Sequence, residues 1–203
     1  LIFNLQPMGK LAGLPLANLQ NMVVLSGLPS SQIHGYIMDF SLTAEQKMLQ
    51  DTARRFAADE LPAHAKAIEE NDTPPTLALR KRFAEMGFMG INLPTEYGGA
   101  GLGHFEAVLI LEELAKTSVA VAFPVFEASF GPALAIAHFA PETLRQRILP
   151  KVCSGEMIVA VSMSEPQAGT ALTDLKTTGK RNGDKIILNG NKRWCSGGGH
   201  ADA

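Results

Sequence analysis

The sequence predicts an α+β protein, an all-α domain joined to an antiparallel β domain. From Met38 to about Val152 apolar residues recur at helical spacing. Beyond Gly155 the period shortens: "MIVAVSM" (157–163) is β-rich, and Asn182-Gly183 and Asn189-Gly190 are hairpin-type dipeptides. Helices followed by strands in blocks, rather than alternating with them, disfavour a doubly wound sheet.

Each element has its own signal. Thr43 followed by Gln46 offers a capping box, and Leu49, Ala53, Phe56 and Ala57 continue a helical face until Pro62. A second helix fits 77–87, with Leu79, Phe83 and Met86 on one side and Gly87 as the stop. "INLPTEYGGAGLG" (91–103) has the glycine and proline density of a flexible loop between helices. His104 to Lys116 reads as a helix with Val108, Leu111, Leu114 and Ala115 on one face and Glu112 and Glu113 near its margin. Val119 to Phe139 is almost free of charge, so a buried helix interrupted near Pro124 or Pro132 is expected. Pro141 to Val152 is a short amphipathic helix opened by proline and glutamate.

A chain of 203 residues can bury a sizeable core. A formal net charge of -2, with both signs mixed along the chain, argues against nucleic acid and anionic membranes. No run is expected to come close to the about 20 consecutive apolar residues that a membrane span needs. Cys153 and Cys195 show no CxxC spacing, so buried thiols in a reducing compartment are expected rather than a metal or disulfide framework. Residues 1–37 are apolar but broken by three prolines, and are read as an irregular extension outside the fold; Met38 looks like a natural beginning, and "GGGHADA" ends without a closing element.

The five histidines are scattered, without HExxH pairing, so no metal site is expected. "GGAGLG" lacks the GxGxxG spacing of a dinucleotide loop. Chemistry is better suited to "MSEPQAGTALTD" (163–174). Ala168 and Gly169 let a ligand approach the backbone, and the Ser164 and Thr170 hydroxyls can donate to anionic or carbonyl groups. Taken alone, a Ser-Glu-Pro turn at a strand end is more often structural. In "KRWCSGG", Trp194 brings an aromatic surface and Ser196 a hydroxyl, although an isolated tryptophan is usually core.

Together the segments resemble the acyl-CoA dehydrogenases. The resemblance is carried by "MDFSLTAEQKMLQDTARRFAADEL", "GFMGINLPTEYGGAGLG" and the run from "ILPKVCSGEMIVAVSMSEPQAGT" to "RWCSGGGHAD", and covers Met38 to Ala203 almost continuously. It implies an N-terminal all-α helical domain (38–157), then an incomplete antiparallel β-barrel domain (158–203), with the C-terminal helical bundle missing.

The resemblance also implies FAD as cofactor. Val161, Met163, Ser164, Gly169 and Thr170 would wrap the flavin, with Thr170 also near the substrate; Trp194, Cys195 and Ser196 match the family's Trp-Ile-Thr segment, which flanks the ring. The 97–103 loop matches one that shapes the acyl pocket in relatives. This chain departs from the common pattern at Val161, Ala171 and Cys195-Ser196-Gly197. The implied activity is oxidation of an acyl-CoA at its α and β carbons to a trans-2-enoyl-CoA, with electrons passed to an electron-transfer flavoprotein, in a homo-oligomer of the cytoplasm or the mitochondrial matrix. The family's glutamate base lies past the matched region, so no catalytic residue is assigned and the chain alone is expected to be inactive. Two other readings share the fold: a flavin monooxygenase or oxidase, and a non-catalytic binding relative.

Overall fold

The amphipathic pattern of the first helix does not stop at its proline. The computed structural model describes residues 40–203, so the extension at 1–37 and Met38 lie outside the described residues; Glu45–Ala203 form one unit. Helix α1 spans Ala44–Asn71 and runs through Pro62, past the stop expected there. A proline inside a helix frees the carbonyl four residues back, here that of Ala58, which is exposed and can be hydrated. The apolar stripe continues through Leu61 to Ala65 and Ile68, which rest on the core and hold the last turns in place. Pro124 and Pro150 also sit inside helices, and the residues whose carbonyls they free, Ala120 and Gln146, are exposed as well.

Helix α2 (Leu77–Glu85) opens on Thr76, whose hydroxyl accepts from the Leu79 amide, and closes at Met86 before Gly87, which takes a positive φ of 73°. Residues 91–103 are a pinned loop rather than a flexible one. Gly99, Ala100, Gly101 and Leu102 each donate a backbone hydrogen bond to carbonyls between Gly90 and Pro94, and Ile91, Leu93 and Tyr97 enter the core. The Tyr97 hydroxyl donates to Glu142, and burial together with that carboxylate pushes the phenol up to about 12.

Helix α3 (His104–Thr117) is rotated relative to the expected face: Ala107, Ile110, Glu113 and Leu114 are buried, while Val108 is exposed. Glu113 can turn inward because Arg54 of α1 (3.1 Å) and Lys116 (2.8 Å) reach its carboxylate. Helices α4 (Val119–Ser129) and α5 (Pro132–Phe139) divide the long apolar run at Phe130-Gly131, immediately before Pro132. Val119–Phe139 does have the length and mean hydropathy, 1.7, of a membrane span, contrary to the expectation that no run comes close. In the fold its Val121, Ala122, Val125, Ala128 and Ala133 are core residues. Helix α6 (Glu142–Cys153) adds Ile148, Leu149 and Val152 to the same core.

The β part is smaller than expected. Among the described residues the sheet is one antiparallel hairpin, β1 (Thr178–Asn182) and β2 (Lys185–Asn189), registered from Thr178 opposite Asn189 to Asn182 opposite Lys185. Its two-residue loop begins at Gly183, with φ 61°, as the Asn182-Gly183 signal implies. Asn189-Gly190 ends β2 and turns no second hairpin. Met157–Met163 is not a strand, because a ladder needs backbone partners at successive positions. Here Ile158 and Ala160 bond to 202–203, and Ser164 to Arg193. No closed barrel forms among these residues.

Candidate functional site

The segment after α6 leaves the core at Val159 and reaches the surface at Val161 and Met163, which are 43% and 51% exposed. It then turns sharply: the Glu165 and Ala168 amides and carbonyls bond reciprocally at 2.8 and 3.1 Å across Pro166-Gln167. The Glu165 side chain folds inward, 5% exposed, and accepts from the Lys176 amide (2.7 Å), the Thr177 amide (2.9 Å), Gln167 Nε2 (2.6 Å) and Lys192 Nζ (2.9 Å). The neighbouring Thr177 hydroxyl, the Lys176 amide and the Lys192 ammonium hold its carboxyl far below the usual carboxylate range. Glu165 is thus a structural anchor that fixes the 164–168 turn to the start of the hairpin.

The return segment after β2 comes back alongside this turn. Lys192 Nζ also donates to the Met163 carbonyl at 2.9 Å, and the Arg193 amide donates to the Ser164 carbonyl at 2.8 Å. The chain then reverses at Trp194, which takes φ 58°, the left-handed region that a bulky side chain seldom adopts. That reversal turns the indole outward: Trp194 is 84% exposed, where core burial is the ordinary fate of a lone tryptophan.

Val161, Met163, Ser164, Trp194 and Ser196 converge on one cavity of about 160 Å³, closed on the helical side by Phe123, Phe126, Glu127 and Pro132. The other residues singled out by sequence stand apart from it. Thr170 is exposed, a side chain at Gly169 would meet open space, and Cys195 is exposed where a buried thiol was expected. Cys153 is buried, and burial pushes its thiol up to about 11. The 97–103 loop does not line this cavity.

Sequence reasoning missed the helical wall. Glu127 is 7% exposed and has no hydrogen bond or ion pair among the described residues. Burial pushes its carboxyl up to about 7. The signal was present, since Glu127 is the only Asp, Glu, Lys or Arg between Val119 and Phe139.

Residues 43–156 match the acyl-CoA dehydrogenase N-terminal domain, and residues 160–203 match the acyl-CoA dehydrogenase middle domain. The chain is 37% identical over 162 residues to the mitochondrial isovaleryl-CoA dehydrogenase of Bos taurus, which covers 79% of this chain and 38% of that enzyme. Among solved structures it is similar to a glutaryl-coenzyme A dehydrogenase in complex with glutaryl-CoA (TM-score 0.75, 32% identity, 81% of this chain and 42% of that one). It is also similar to the FAD complex of PigA (TM-score 0.73, 27% identity, 81% and 43%). The chain therefore spans about two fifths of the length of the relatives it matches. With two consecutive domain matches in order along the sequence, it belongs to the acyl-CoA dehydrogenase family.

Proposed function

We propose that this chain supplies the flavin-flanking segments and part of the acyl cavity of an FAD-dependent acyl-CoA dehydrogenase, an oxidoreductase that acts on the CH–CH bond of an acyl thioester and yields a trans-2-enoyl-CoA. In this reading 38–157 is the helical domain and 158–203 the start of the middle domain. The observation that supports it best is the meeting of Ser164 and Trp194, thirty residues apart in sequence, at one cavity wall.

The donor set fits a flat heteroaromatic ring with acceptors along its edge. The amides of Val161, Met163 and Ser164, and the hydroxyls of Ser164, Thr170 and Ser196, have no partner among the described residues. Exposed Trp194 and Met163 offer apolar contact beside these donors. FAD, when bound, supplies the hydride-accepting chemistry. The chain's own part is to hold the ring edge with Ser164, Ser196 and the nearby amides, to flank it with Trp194, Val161 and Met163, and to extend the donor line through Gly169 and Thr170 toward phosphate and thioester.

No proton acceptor for the α carbon is assigned. Glu113 is held by Arg54 and Lys116, and Glu165 is clamped by two amides and Lys192, so neither is available as a base. We hold that the chain alone binds FAD but does not oxidise acyl-CoA, and that the complete enzyme passes electrons to an electron-transfer flavoprotein. A reducing cytoplasm or matrix suits its free thiols. The test is titration of the purified 203-residue chain with FAD, followed by anaerobic addition of butyryl-CoA. Saturable quenching of flavin fluorescence with no bleaching is the expected result. Absence of saturable binding overturns the flavin reading, and substrate-driven bleaching overturns the assignment of no base.

A further inference from the structure

Lys192 does not line the cavity that takes the flavin ring, yet it holds the segment that forms one of its walls. Its Nζ donates to the Met163 carbonyl and to the Glu165 carboxylate, at 2.9 Å each. The side chain is 28% exposed, so salt and water screen its charge only in part. The contact with the carbonyl is the one that bears on the cavity.

The Met163 carbonyl and the Ser164 amide belong to one peptide unit, and no peptide bond among the described residues is cis. In a planar trans unit the C=O and the N–H point in opposite directions. With Lys192 on the oxygen, the Ser164 N–H is turned to the other side of the segment. Ser164 lines the cavity and Lys192 does not, and that N–H has no partner among the described residues. The next peptide unit is fixed as well: the Ser164 carbonyl accepts from the Arg193 amide at 2.8 Å, and the Glu165 amide donates to the Ala168 carbonyl at 2.8 Å. The Ser164 N–H thus stands between two pinned carbonyls, with little freedom to turn away.

An ammonium on the carbonyl oxygen draws electron density toward it and makes the N–H of the same peptide a stronger donor, as in a chain of hydrogen bonds that polarise one another. Two-electron reduction makes the acceptors along a flavin edge more negative, so a fixed donor set there beforehand favours the reduced ring over the oxidised one. Glu165 balances the charge of Lys192. Removing either member of the pair therefore leaves a unit charge of known sign behind the same peptide.

We propose that Lys192 is a positioning residue that acts through the Met163–Ser164 peptide to raise the reduction potential of the bound flavin, with Glu165 as the counter-charge that limits the rise. The inference rests on the flavin reading above. It gives the Glu165 and Lys192 contact a task beyond anchoring the turn, because the same ammonium that ties the two segments together also sets the strength of a donor at the ring edge.

Reductive titration of the FAD-loaded full chain against a reference dye, at pH 7, tests it. In Lys192→Met, which keeps the apolar stem and loses the charge, the affinity ratio of reduced to oxidised FAD is expected to fall about tenfold, a drop of about 30 mV for a two-electron couple. Lys192→Arg keeps the charge and the donors and should stay within about twofold of wild type. Glu165→Gln, which leaves Lys192 uncompensated, should move the ratio severalfold in the opposite direction, and this arm decides the matter if Lys192→Met does not fold. A merely structural role would weaken both redox forms alike and leave the potential where it was. An unchanged potential in Lys192→Met, or the absence of an upward shift in Glu165→Gln, overturns the inference and leaves the flavin reading intact. Failure of the wild-type chain to bind FAD overturns the flavin reading and this inference with it.

Discussion

The Glu165 carboxylate and the Lys192 ammonium lie 2.9 Å apart across 27 residues of sequence, and the whole β1–β2 hairpin lies between them. The contact ties the Ser-Glu-Pro turn to the segment that carries Trp194. Glu165→Ala removes the acceptor of two backbone amides and leaves Lys192 without its carboxylate. Loss of a mostly buried charge partner is strongly destabilising. We expect Tm to fall by roughly 5 °C or more, and protease cleavage to appear first within 165–192. The pH dependence has a definite sign. Because the folded carboxyl titrates below its unfolded value, its contribution is complete above the ordinary carboxylate range and disappears as pH falls through the lowered folded value. Thermal melts from pH 7 down to pH 3 should therefore show the difference between wild type and Glu165→Ala shrinking.

Gly155 sits at φ 74°, and an added Cβ would lie 2.6 Å from the Arg80 carbonyl. It terminates α6 and starts the segment that leads to the site, with α2 packed against it. Gly155→Ala meets both a backbone clash and a disfavoured conformation, and we expect a loss of roughly 2–4 kcal/mol. Gly169→Ala is the control, because a Cβ there meets nothing within 4 Å. Denaturant unfolding of the two variants side by side checks the contrast, and equal stabilities would refute the packing argument.

Helix existence was legible from the sequence because the apolar period is a local property, and Leu79 and Phe83 bury as their spacing implies. The phase of α3 was not. Its inward Glu113 depends on Arg54, 59 residues away, a partner no window reveals. The continuation of α1 past Pro62 likewise depends on tertiary packing of Ile68 rather than on propensity. At the site, Ser164 and Trp194 were legible as residues of suitable chemistry, whereas Glu127 was read as part of an apolar helix. Its role arises only when α4 is set against the 161–164 segment, and burial alone cannot distinguish a core residue from a cavity wall.

Glu127 gives a second pH signature, opposite in sign to that of Glu165. Its folded carboxyl is raised to about 7, so the folded state holds a proton that the unfolded state releases. Stability from this group is complete below the ordinary glutamate range, near pH 4.5, and is lost as pH rises through about 7. Glu127→Gln stays neutral throughout and removes that loss. Its Tm should match wild type at pH 4.5 and exceed it at pH 8 by roughly 2–6 °C, about 1–2 kcal/mol after allowing for solvent that reaches the carboxyl through the cavities. A pH-independent difference would show that the side chain acts through shape alone.

Trp194 separates binding from folding. With 84% of its surface exposed, the indole contributes little to the core, so its removal should leave the fold almost untouched. Stacked or edge-on contact with a bound ring would be worth on the order of 1 kcal/mol beyond the area it buries, and tenfold in affinity corresponds to about 1.4 kcal/mol. Trp194→Ala is therefore expected to change Tm by no more than about 1 °C while weakening FAD binding about tenfold or more. Trp194→Phe, which keeps an aromatic face, should recover most of that affinity. The left-handed backbone at φ 58° offers an independent check. Trp194→Gly relieves that conformation and removes the ring together, so it should stabilise the free chain slightly while binding FAD as poorly as the alanine variant. If all three variants kept wild-type affinity, the indole would have no contact with the flavin, and the role assigned to the cavity wall at Trp194 would be wrong.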